Sequence, residues 1–155
     1  MNVVSAAFPD HRKNLIFAIL AGGAVAGTFD LISAFITFGP GVPRGIASGL
    51  LGRQAMSGGM ATWILGVFLH YFVAFSAACV FCVAGQKLKF FKDHFVVCGL
   101  FFGIAVFLVM TLIVLPLCAF HARGPYQLRS LIQGLLTHMV LIGLPISYSF
   151  RKFST

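Results

Sequence analysis

The first long apolar stretch, residues 14–38, constrains the fold most, because it carries an acid, Asp30. About 20 apolar residues suffice for a helix to cross a bilayer. An acid inside such a helix costs roughly 2.5–3.5 kcal/mol on insertion scales, so Asp30 must face protein rather than lipid. Residues 60–84, 95–120 and 129–150 form three further apolar runs of spanning length. Only 9% of the chain is charged and 59% is hydrophobic, whereas soluble domains carry about 25% charged residues. The pattern predicts an all-α fold: a single membrane domain over residues 1–155, built as a transmembrane four-helix bundle.

The connections follow from the punctuation. Gly39, Pro40, Gly41 and Pro43 end the first helix. Residues 44–59 are too short and polar to span, and they predict a short amphipathic or re-entrant helix between helices 1 and 2. Its glycines argue against a fully regular helix. Residues 85–94 form a polar turn with three lysines, and Pro116 predicts a bend late in helix 3. Residues 121–128 form a loop with Gly124 and Pro125, and residues 1–13 form a polar lead with Pro9. The first apolar run exceeds a signal h-region of about 7–15 residues and has no A-x-A site, so an uncleaved helix is expected.

The eleven Lys and Arg against three acids give a formal net charge of +8. These cations cluster at the ends of apolar runs rather than along one polar face, which points to topology signals and anionic lipid rather than nucleic acid. Arg12, Lys13, Lys87, Lys89, Lys92, Arg151 and Lys152 would share one side, with Arg44, Arg53, Arg123 and Arg129 opposite. The positive-inside rule then predicts cytoplasmic N- and C-termini.

Two G-x-x-x-G motifs, Gly23 to Gly27 and Gly99 to Gly103, mark helix-packing faces, since small residues let helices approach closely in lipid. Both lie in the same half of the membrane, so helices 1 and 3 are expected to touch there. Gly23, Gly27, Asp30 and Ala34 share one face of helix 1. His70 lies between Gly66 and Ala74, and His138 follows Gly134 by one turn. Counted from the outer helix ends, Asp30, His70, His138 and Thr111 agree in depth within two residues. At about 1.5 Å per residue this is about 12–15 Å below the surface.

A polar cluster of Asp30, His70, His138 and Thr111 is therefore expected inside the bundle, with a hydrogen bond from His to Asp as its simplest form. It would serve as a structural clasp between helices 1, 2 and 4. The alternative is a proton or ion pathway, which intramembrane acids and histidines often mark. A metal site or haem is a further reading, but two His and one acid are few ligands. No metal, cofactor or catalytic residue is expected. Cys79 and Cys82 form a C-x-x-C without thioredoxin-like context, with Cys98 at similar depth and Cys118 alone near the other surface, so inert thiols are expected. G-x-S-x-G, H-E-x-x-H and phosphate-loop motifs are absent. His121 and Arg123 read as a solvated loop ahead of an anion site.

The runs A-G-T-F-D-L-I (26–32), G-I-A-S-G-L-L-G-R-Q-A (45–55), G-G-M-A-T-W-I-L-G-V-F-L-H-Y (58–71), F-G-I-A-V-F-L-V-M-T-L-I-V-L-P-L (102–117) and H-M-V-L-I-G-L-P-I (138–146) resemble a group of small, uncharacterised bacterial membrane proteins. The resemblance covers nearly the whole chain and implies a bacterial inner-membrane protein, with no activity attached. Its pattern includes Asp30, His70 and His138, and has Asn where this chain has Thr111. The expected function is non-enzymatic, in contact with the lipid bilayer and with a homo-oligomer or a membrane-protein partner. The alternative is a small transporter or proton conduit using Asp30, His70 and His138, and a membrane redox protein is third.

Overall fold

A computed structural model of the protein describes residues 10–119, 121 and 127–153. Arg123, Gly124 and Pro125 of the loop after helix 3, and Pro9 of the lead, lie outside the described residues. The described chain is all-helical: α1 (Asp10–Phe38), α2 (Val42–Leu51), a 3-10 turn (Arg53–Ser57), α3 (Met60–Gly85), the short α4 (Lys89–Asp93), α5 (Phe95–Leu117) and α6 (Leu128–Phe153). Four of these, α1, α3, α5 and α6, are long and apolar enough to cross a membrane. Their outward faces are apolar too: Phe68, Phe72, Phe101 and Leu112 are between 61% and 68% exposed. Contiguous exposure of this kind marks a surface made for lipid or a partner rather than for water.

The helix ends have local causes. Past Gly52, at φ +80°, the chain continues as the 3-10 turn, so residues 44–59 are indeed not one regular helix. Helix α5 stops at Leu117, earlier than expected, because Cys118 turns to extended backbone just after Pro116. Helix α6 runs past residue 150 because its last turn is anchored. Arg151 lies 4.5 Å over the ring of Phe95, and Phe153 meets Phe17 edge-on at 4.6 Å. Arg151 and Lys152 also suit the negative end of the helix dipole.

The packing differs from expectation in one respect. Helices α1 and α5 do not join through their G-x-x-x-G motifs. Instead α1 packs on α3, and α5 packs on α6. A Cβ at Gly23 would run into Phe75, and one at Gly27 would press on Tyr71 and Ala74 at 3.0–3.1 Å. A Cβ at Gly99 would strike the Ser147 hydroxyl and the Gly143 carbonyl, and one at Gly103 the backbone of His138. G-x-x-x-G spacing makes a face small but does not choose which neighbour fills it. We expect Gly27→Leu to lower the unfolding temperature in detergent. The cost is about 1–3 kcal/mol, the usual range for overpacking a tight contact.

The two pairs, α1–α3 and α5–α6, meet mainly through α1 and the second half of α6. Here lies the core: Ala18, Ala26, Ala78, Phe81, Cys82, Ile146 and Phe150 are buried. Phe81 meets the rings of Phe91, Phe102 and Phe150 tilted or edge-on, at 5.0–5.8 Å. This is the end of the molecule that carries the lysines. At the opposite end the pairs separate, and α2 fills part of the gap by packing along α3. Pro43 of α2 is fully buried, with its carbonyl directly against Gly66. Trp63 supports the same turn by donating from Nε1 to the Pro40 carbonyl at 3.1 Å.

Candidate functional site

The divergence of the two helix pairs leaves a cavity of about 550 Å³. All four long helices line it. Helix α1 supplies Gly27, Asp30 and Ala34; α3 supplies His70 and Ala74; α5 supplies Thr111; α6 supplies Gly134 and His138. Val42 and Ile46 of α2 complete the wall. The four polar residues expected at one depth thus border one space, but they do not bond to one another.

The hydrogen bonds explain why. The ring of His70 donates from Nε2 to the Gly27 carbonyl at 2.8 Å, crossing from α3 to α1. The ring of His138 donates from Nδ1 to the Gly134 carbonyl, 2.7 Å away in its own helix. A carbonyl can only accept, so the bonded nitrogen of each ring carries a hydrogen. Both of these donors are directed at backbone, and the expected His–Asp hydrogen bond is not made. Asp30 has no hydrogen bond or ion pair among the described residues. Among the described residues the Asp30 carboxyl, His70 Nδ1 and His138 Nε2 are without a partner.

Two further polar stripes, not among the residues expected from the sequence, line the cavity. Ser33 and Thr37 extend the Asp30 face of α1, and Ser130, Gln133 and Thr137 extend the His138 face of α6. Their spacing of three and four residues was the available signal. Gln133 donates from Nε2 to the Thr37 hydroxyl at 3.1 Å, tying α6 to α1 across the cavity mouth. Arg129, exposed, stands on the α6 side of that mouth.

Thr111 and His138 each sit in a π-helical turn, Met110–Val114 in α5 and His138–Gly143 in α6. The two turns have the same local cause. Leu115 donates to the Met110 carbonyl and Leu144 to the Met139 carbonyl, and each leucine is followed by a proline, Pro116 or Pro145. A proline ring crowds the carbonyl four residues back and offers no N–H, so the turn before it widens. The segments M-T-L-I-V-L-P (110–116) and M-V-L-I-G-L-P (139–145) share five of seven residues. This short repeat was the sequence signal for the paired π turns, which occur often at functional sites.

Other candidates do not converge. Among the described residues no three His, Cys, Asp or Glu side chains form a group that could hold a metal ion. Cys79, Cys82, Cys98 and Cys118 are free thiols, with Cys82 and Cys98 buried away from the cavity. Comparison with family models, curated proteins and solved structures finds no match to this chain.

Proposed function

We propose that this is a multi-pass protein of the bacterial inner membrane, a four-helix bundle in which the Asp30, His70 and His138 cavity takes up a small species as a transporter or proton conduit. One observation carries the reading. Three ionisable side chains from three helices border a shared cavity of about 550 Å³ and leave an acid and two ring nitrogens without a partner among the described residues. Intramembrane polar groups are costly and are retained where they form a pathway or a site. The cation distribution favours cytoplasmic termini, with the buried core on the cytoplasmic side and the cavity opening toward the outer half. Helix α2 is then a re-entrant element of the outer half, because Pro43 reaches Gly66, well inside α3.

The test is proton flux in liposomes under an imposed pH difference. Flux above protein-free liposomes, lowered when Ala34→Trp fills the cavity, supports the conduit. A rate equal to protein-free liposomes removes it. The second reading, a structural clasp, rests on the His70 bond to the Gly27 carbonyl, which links two helices. On that reading His70→Ala lowers stability by about 0.5–1.5 kcal/mol, the net value of one hydrogen bond, with no change in transport.

A further inference from the structure

The cavity is lined by an acid, Asp30, that makes no ion pair among the described residues, and from this we infer that its ligand is a hydrogen-bond-donating organic cation, an ammonium or amidinium group on an apolar body. The inference rests on reading the cavity as a binding site. The two histidine rings and Gln133 direct donors at the protein itself, while the hydroxyls of Ser33, Thr111, Ser130 and Thr137 can either give or take a hydrogen bond. His70 gives its ring hydrogen to Gly27, His138 gives its own to Gly134, and Gln133 gives an amide hydrogen to Thr37. His70 Nδ1, His138 Nε2 and the Asp30 carboxyl are left without a hydrogen-bond partner among the described residues. An ionised carboxylate only accepts, whereas an ammonium has three donors and no acceptor. A carboxylate in apolar surroundings is also held at least cost beside a cation.

The remaining surroundings fit the apolar body. Ala34, Val73, Ala77, Val106, Phe107 and Ile142 also line the interior. The volume lies within the range of about 300–1,000 Å³ that holds a drug-sized molecule. Among the described residues Arg129 is the one Lys or Arg that lines the cavity, and it stands exposed at the mouth. Nine residues separate it from His138, about 13 Å along the helix at about 1.5 Å per residue. Among the described residues Asp30 is the single acid lining the cavity, and it makes no ion pair there. The aromatic ring of Phe107, beside His138 at 5.6 Å, adds a face on which a cation can rest.

Binding of 1-naphthylmethylammonium to the full chain in lipid nanodiscs tests this, against the neutral 1-naphthalenemethanol and the anion 1-naphthoate. We expect saturable binding of the ammonium at least about tenfold tighter than either comparator, as a charge-assisted hydrogen bond allows. Asp30→Asn should remove that preference, and Asp93→Asn, exposed at the lysine-rich end, should keep it. Equal or tighter binding of the alcohol or the naphthoate, abolished by Ala34→Trp, would overturn the cationic class and leave the cavity reading intact. Absence of saturable binding for all three probes would overturn both. The three-probe comparison on the natural chain decides the matter even if a variant fails to fold.

Discussion

Liposomes carrying Asp30→Asn are expected to pass protons at least about tenfold more slowly than those carrying the natural chain, a loss of about 1.4 kcal/mol or more in the barrier. Asn matches Asp in shape and can still accept hydrogen bonds, but it cannot release and rebind a proton. Among the described residues the natural acid is the single carboxyl group lining the cavity, so nothing nearby can replace it. His70 and His138 remain in the variant, with their backbone bonds to Gly27 and Gly134 intact. For the same reason the variant should keep its unfolding temperature. Asp30 holds no bond among the described residues whose loss would loosen the helices. A conduit predicts lost flux at unchanged stability. A clasp built on Asp30 predicts the reverse, and paired flux and thermal measurements on one preparation separate them.

Gly66→Ala is the second large effect. A Cβ at Gly66 would overlap the Pro43 carbonyl, and the obstructing atoms are backbone, not the end of a flexible side chain. Pro43 is fully buried and Trp63 holds the preceding turn, so α2 cannot yield by a small rotation. Overpacking costs about 1–3 kcal/mol when side chains can shift, and a backbone collision belongs at or above that upper end. At about 2–4 °C per kcal/mol, a loss of about 3 kcal/mol lowers the unfolding temperature by about 6–12 °C. Displacing α2 also moves Val42 and Ile46 out of the cavity wall, so flux and ligand binding should change with stability. Gly41→Ala is the control, since no atom lies within 4 Å of a Cβ there. A thermal scan that shows equal losses for both variants would contradict the seating of α2 on Gly66.

Apolar length and the placement of Gly and Pro were enough to read the four long helices and the short element between the first two. These are local properties, written in consecutive residues. Asp30, His70, Thr111 and His138 line one cavity, a neighbourhood that equal counts from the helix ends point to because helix rise is constant. Partner choice was not. Gly23 and Gly27 present a small surface that suits any neighbour, and the selection of α3 over α5 depends on how Tyr71, Ala74 and Phe75 fill it. The missing His–Asp bond has a similar origin. One ring nitrogen of each imidazole donates to a backbone carbonyl, Gly27 or Gly134, that only the folded geometry brings within reach. The paired π turns were half legible, through prolines that follow a shared segment, but their widening shows only once each carbonyl has a donor.

The central claim is that Asp30, His70 and His138 border a space open to water-borne molecules and not a packed interior. Maleimide labelling of single introduced cysteines in the full chain, located by peptide mass spectrometry, measures this directly. Ala34→Cys places a thiol on the cavity wall, and Ala18→Cys places one in the fully buried core. Both lie on α1 and both change a small residue conservatively. The predicted result is ready labelling at position 34, protection there by 1-naphthylmethylammonium, and no labelling at position 18. Position 34 as unreactive as position 18 in folded protein would contradict the cavity and the function proposed for it.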